Sequence, residues 1–149
     1  MSLSRPSAVI FDWDNTLVDT WPVIHDSMNT TLERMGCPLW SIDETKERVR
    51  RSLREAFPDL FGDQWEIARD VFYERFKKIH LERLEVLIGA ENLLKTLHAK
   101  NIYLGVVSNK SGDNLRREAD HLDWSRYFGQ VVGAMDATKD KPAIEPVIM

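Results

Sequence analysis

Three short apolar runs set the pattern of the chain. Ala8-Val9-Ile10-Phe11 is continuous and stops at Asp12, and Ile102-Tyr103-Leu104-Gly105-Val106-Val107 stops in the same way at Ser108-Asn109. A third, Gln130-Val131-Val132-Gly133, ends near Ala134 and gives way to polar residues. Runs of this length without alternation predict buried parallel strands, covered on both faces. Helical spacing appears between them. Leu93, Leu94 and Leu97 give Glu91–Ala99 an apolar side, and Leu115, Ala119 and Leu122 do the same for Asp113–Leu122. Alternating helix and strand predicts an α/β fold with a doubly wound, Rossmann-like parallel sheet, of which three strands are present.

The stretch from Thr20 to Val86 is patterned differently and predicts no strand. Thr20-Trp21-Pro22 starts a helix, with Pro tolerated in the first turn. Ile24, Met28, Leu32 and Met35 continue it at helical spacing, and Gly36 stops it. Ser41-Ile42-Asp43-Glu44 has capping-box spacing. Val49, Leu53 and Phe57 extend that second helix as far as Pro58. A third runs from about Gln64, with Trp65, Ala68, Phe72 and Ile79 on its inner side. The expected organisation is therefore a core of residues 1–19 and 88–149, interrupted after its first strand by a helical lobe of residues 20–87.

Composition narrows the function classes. The chain has 149 residues, 43% of them hydrophobic, which suffices for a core with a smaller inserted lobe. A net charge of −4 offers no general attraction to nucleic acid or to an anionic membrane. The single cysteine, Cys37, excludes an intrachain disulfide and a cysteine zinc cluster. The apolar stretch at Ala8–Phe11 is too short for a signal-peptide core or a membrane span. Together these predict a soluble, cytoplasmic protein.

The candidate chemistry lies where the first run ends. In Phe11-Asp12-Trp13-Asp14-Asn15-Thr16, two carboxylates stand two residues apart, and an extended backbone would project both to one side. Strand ends of open α/β sheets are where ligands bind. Neighbouring carboxylates repel, so a cation or a shared proton is needed to hold them. Mg²⁺ suits an all-oxygen site and would neutralise a bound phosphate. One acid can then act as nucleophile while the other exchanges protons with leaving group and water. Asp is also a common turn and cap residue, and the position directly after a buried strand favours chemistry. Ser108, at the end of the second run, reads either as a donor to a phosphoryl oxygen or as the cap of the next helix.

Phe11-Asp12-Trp13-Asp14-Asn15-Thr16-Leu17-Val18-Asp19-Thr20 resembles the first motif of the haloacid dehalogenase superfamily, in its phosphoglycolate-phosphatase-like branch. Val106-Val107-Ser108-Asn109-Lys110 resembles the second motif and Lys141-Pro142 the third, although Ile144 stands where the family often has a second proline. The resemblance covers nearly the whole chain. It implies that Asp12 forms an aspartyl-phosphate and that Asp14 is the acid/base, the residue that dehalogenases proper lack. It further implies that Mg²⁺ binds Asp12 and the backbone carbonyl of Asp14, and that Thr16, Ser108, Asn109 and Lys141 contact the phosphate. The helical lobe becomes a cap domain.

The family's fourth motif, one or two further acids after a fourth strand, is not found before Met149. None of Asp136, Asp140 and Glu145 has the strand context to replace it. The expectation is thus of a chain truncated, or a sequence incomplete, before that motif. Its first strand would be an uncovered apolar edge through which copies self-associate. The leading reading is a Mg²⁺-dependent phosphatase of a small phosphorylated metabolite. A sugar phosphomutase, and an inactive fragment or interaction module of the same fold, are the alternatives. In the lobe, the basic run Arg48–Arg54 reads as a solvated helix face or an anion contact. Trp21, Trp40 and Trp65 read as core or pocket lining, and His25 and His80 as core or surface residues.

Overall fold

The computed structural model describes residues 2–149. In chain order, β1 (Ala8–Phe11) and the two-residue β2 (Val18–Asp19) lead into four helices, α1 (Trp21–Arg34), α2 (Ile42–Arg48), α3 (Leu53–Phe61) and α4 (Trp65–Ile79). There follow β3 (Glu85–Val86), α5 (Ala90–Ala99), β4 (Tyr103–Ser111), α6 (Gly112–His121) and β5 (Gln130–Ala134). Two compact units result, one comprising the chain up to Val18 together with Val86–Met149, the other Asp19–Glu85.

The first unit is built on a parallel three-stranded sheet of order β1-β4-β5. Ala8 lies beside Tyr103 and Phe11 beside Val106, while Val107 lies beside Val132. The central β4 is the best covered strand, with Leu104, Val106 and Val107 buried, and Leu94, Leu115 and Ala119 bring in the apolar sides of α5 and α6. Three expectations need correction here. β1 is not covered on both faces, since Ile10 is half exposed, whereas its place at the sheet edge with one neighbour is as expected. β4 does not stop at Ser108-Asn109 but runs on to Ser111, past an irregularity in its pairing with β5. Leu93 does not join the buried side of α5, which presents Leu94 instead. Gly133 permits the extension of β4, since a Cβ there would lie 2.5 Å from the backbone of Gly112.

The second unit is helical around Met28, Leu32, Trp40, Phe57 and Ala68, with Val23, Ile24, Phe76 and Ile79 forming an adjoining cluster. The predicted capping box forms: Ser41 Oγ accepts the Glu44 N–H and Glu44 accepts that of Ser41. The helix it starts does not continue to Pro58. It ends at Arg48, and the chain restarts at Ser52, whose carbonyl accepts the N–H groups of Glu55 and Ala56. Pro58 lies inside α3, which ends at Gly62 with φ +57. The stretch also holds a short strand, β3, at its end. Trp40 belongs to the core, with Trp65 packed against its first cluster and Trp21 against the second. His25 bonds Thr45 at 2.8 Å, and His80 is buried against the Phe76 ring. The basic run is engaged along its surface. Arg48 pairs with Glu44 and stacks on Trp40, Arg50 donates to the Glu47 carbonyl, and Arg51 pairs with Asp59.

Asp26 on α1 is bonded to α4 and to the turn after it, accepting from Arg75 at 2.7 and 3.0 Å and from Arg83 at 3.0 Å. The hydrogen bond from Arg75 is the main cause that holds its carboxyl at about 2, against an ordinary 3.8. A depressed folded-state value adds stability that is complete above the unfolded-state pKa and fades as pH falls through the folded-state one. Asp26→Asn is therefore expected to cost about 1–2 kcal/mol in urea unfolding at neutral pH, allowing for solvent screening. That difference should shrink between about pH 4 and pH 2; a cost that is the same at both ends would contradict the assignment.

Candidate active site

Asp12 follows directly on β1, and its level on the sheet is set by the pairing of Phe11 with Val106. The segment after it is not an open loop. Trp13 is fully buried, edge-on to Trp124 at 5.7 Å and to Phe128 at 6.2 Å, and its carbonyl accepts the N–H groups of Thr16 and Leu17. Asn15 takes φ +59, a left-handed conformation that Asn tolerates better than most residues. Leu17 and Val18 then return to the interior. One buried indole between two acids thus fixes the backbone from which both project.

Lys141 reaches Asp12 from the far end of the chain. Its ammonium lies 2.9 Å from Asp12 Oδ1 and 2.9 Å from the Val107 carbonyl, and its own carbonyl accepts Asn109 Nδ2 at 3.2 Å. The turn before it is held by Asp140, which is buried and accepts the Met135 N–H at 3.0 Å. Thr16 Oγ1 stands 3.5 Å from Asp12 Oδ2. Ser108 is buried, and its Oγ accepts the Lys110 N–H at 3.1 Å. Ser108 does not cap the next helix; Ser111 does, accepting the Asn114 N–H at 3.4 Å. Of the six residues expected at the site, Asp12, Thr16, Asn109 and Lys141 are joined by these contacts, while Ser108 and Asp14 both meet Lys110.

The acids differ in their surroundings. The Asp12 side chain is 46% exposed. Asp14 is more enclosed, and its Oδ1 lies 2.6 Å from the ammonium of Lys110. Lys110 is buried, and the same ammonium donates to both oxygens of Glu118, at 2.7 and 2.9 Å. Glu118 is fully buried and also accepts Trp13 Nε1–H at 3.0 Å. Burial alone would push the Lys110 ammonium towards neutrality, but Asp14 and Glu118 outweigh it and its pKa rises. Neither Lys110 nor Glu118 was singled out as a site residue from the sequence. A signal for Glu118 existed: it falls three residues after Leu115 and next to Ala119, a carboxylate on the apolar side of α6.

The donors suit a hard cation only in part. The Asp12 carboxylate is accessible, whereas that of Asp14 is committed to Lys110, which leaves the Asp14 main-chain carbonyl. Two oxygen donors without His or Cys match Mg²⁺, which keeps several waters and shares substrate phosphate oxygens. Among the described residues no group of three or more His, Cys, Asp or Glu side chains comes together as a metal cage. Asp136 bonds the Gly133 N–H and Arg116, and Asp140 holds its turn. Among the described residues no helix is long and apolar enough to cross a membrane.

Comparison with known proteins agrees with this geometry. The model of the family described as haloacid dehalogenase-like hydrolase matches residues 9–149. A protein of Clostridium perfringens named as a candidate pyrophosphatase, PpaX, is 30% identical over 141 residues, covering 95% of this chain and 66% of its own length. A phosphoglycolate phosphatase of Chromobacterium violaceum is 27% identical over 157 residues, covering 99% of this chain and 71% of the relative. The chain thus spans about two thirds of the length of the curated relatives it matches. In fold it is similar to a crystal structure from Bacteroides fragilis described as a candidate haloacid dehalogenase-like hydrolase. That match has a TM-score of 0.88 and 23% identity, over 97% of this chain and 70% of the other.

The two site lysines should respond differently to removal. Lys110→Met leaves Asp14 and Glu118 without their shared cation in a buried place, and is expected to cost about 3–5 kcal/mol in urea unfolding. Lys141→Met breaks a pair with an exposed partner and should cost at most about 1 kcal/mol. Equal costs would show that the Lys110 charge is not buried as described.

Proposed function

The chain belongs to the haloacid dehalogenase-like hydrolase family, and we propose that it carries the nucleophile and proton-transfer residues of a phosphatase acting on a small phosphomonoester. The observation that carries the reading is the unequal pair of acids: Asp12, accessible and beside Lys141, and Asp14, enclosed and held by Lys110. Two carboxylates two residues apart perform different roles only if their environments differ, and here they do.

In the first half-reaction an Asp12 oxygen bonds to phosphorus while the bond from phosphorus to the ester oxygen breaks. The bonding pair goes to the ester oxygen, which takes a proton from Asp14 and leaves as an alcohol. Asp12 is then an acyl phosphate and Asp14 a carboxylate. In the second, Asp14 takes a proton from water as the water oxygen bonds to phosphorus. The acyl phosphate bond breaks, inorganic phosphate leaves, and Asp12 is restored. Lys141 balances charge on the attacking carboxylate and the phosphoryl oxygens, with Ser108, Asn109 and Thr16 as the neutral contacts around them. Mg²⁺, held by Asp12 and the Asp14 carbonyl, would supply charge neutralisation to the phosphoryl group. A phosphoglycolate-like substrate is the class suggested by one relative's name, and a diphosphate by the other's.

The test is release of phosphate from p-nitrophenyl phosphate with and without Mg²⁺, followed by 2-phosphoglycolate and pyrophosphate as competing substrates. Metal-dependent release that falls by on the order of 10³-fold or more in Asp12→Asn is the expected result. Release unchanged in that variant would remove Asp12 from the nucleophile's role and with it the proposal.

A further inference from the structure

Glu118 has no task in the reaction as written, yet it is the most enclosed ion near the site. It lies wholly inside the protein on α6, accepts Trp13 Nε1–H at 3.0 Å, and holds the Lys110 ammonium on both of its oxygens. Stability is a poor reason for such a group. Desolvation offsets much of the attraction in a buried ion pair, and well-packed apolar side chains of similar volume serve as well or better. Orientation is a better reason. Asp14 projects from a turn, and its carboxylate rotates freely unless something fixed grips it. Lys110 is that grip, at 2.6 Å, and Lys110 is itself held by both oxygens of the buried Glu118. Trp13, the residue before Asp14, donates to the same Glu118, so backbone and side chain are referred to one anchor on α6.

Resting on the reading of Asp14 as proton donor, we propose that Glu118 is a positioning residue which, through Lys110, sets the angle of the Asp14 carboxylate towards the leaving-group oxygen. It touches no substrate. Misplacement of a reacting group by about 1 Å costs on the order of 10²-fold in rate, and the loss falls on the step that needs the proton. An alkyl ester, whose alkoxide leaves poorly, depends on that proton. A nitrophenyl ester, whose phenolate leaves readily, depends on it far less.

The experiment compares 2-phosphoglycolate with p-nitrophenyl phosphate in the full chain and two variants. Glu118→Gln keeps an acceptor for Trp13 and removes the charge that holds Lys110. Lys110→Met combined with Glu118→Leu removes both ions together, leaves no unpaired charge from the pair, and so guards against simple misfolding. In folded variants, judged by thermal unfolding, kcat on the alkyl ester is expected to fall about 10–100-fold with KM within about twofold, and kcat on the aryl ester to fall much less. Equal losses on both esters, or none, overturn the positioning role while leaving the phosphatase reading intact. If the wild-type chain releases phosphate from neither ester, it is the phosphatase reading that fails. Crystal structures of the wild type and of Glu118→Gln then decide the positioning alone. A displaced Asp14 carboxylate supports it, and one that stays 2.6 Å from Lys110 overturns it.

Discussion

The ammonium of Lys110 sits where water does not reach, and the arrangement of the site follows from how that charge is compensated. Moving an ion of this size out of water costs several kcal/mol even after relaxation. Two carboxylates meet it, from opposite ends of the sequence that surrounds it: Asp14 after the first strand and Glu118 on α6. Two acids share the one ammonium, and a neutral donor, the Trp13 indole, meets the acid that lies deepest. This makes the segment after β1, the end of β4 and α6 parts of a single electrostatic unit, not neighbours that merely pack.

Beside that buried cluster stands its open counterpart. Lys141 and Asp12 form a similar contact, but with side chains 31% and 46% open to solvent. The same pair of residue types therefore does two jobs a few ångströms of chain apart. One pair is sealed from solvent, while the other is accessible. The separation is made by Trp13, whose ring fills the core beneath and whose neighbours on either side are the two acids.

Much of this was legible in the sequence, and the reasons for the exceptions are physical. Asp12 and Ser108 announce themselves because each stands where an apolar run stops, with Asp14 and Asn109 close behind, although β4 itself runs on to Ser111. The capping box at Ser41 is a local hydrogen-bond pattern and formed as expected. Lys110 was hidden because a lysine is usually a solvated residue, and only the opposing carboxylates make its burial tolerable. Glu118 was hidden among Arg116, Arg117 and Asp120, charged neighbours that do face solvent. The break between α2 and α3 was hidden for a different reason. Val49, Leu53 and Phe57 are spaced by four, so the apolar pattern runs straight across a gap that Ser52 makes by restarting the helix. The half exposure of Ile10 depends on what packs over the face of β1, which no local pattern encodes.

The bond between Lys141 and Asp12 joins residues 129 positions apart. Contacts of that span carry the largest loop-closure entropy and form late, after local ones have reduced the chain's freedom. The helical unit lies inside this loop and is closed chiefly by α1 packing on α4, across a shorter stretch of chain, so it can gather first and shorten the path between β1 and β4. The pairing of Asp12 with Lys141 is then expected among the last contacts to form. Chemical competence of the site is in this sense a report that the rest of the core has already assembled, and a partly folded chain would carry its acids with nothing to orient them.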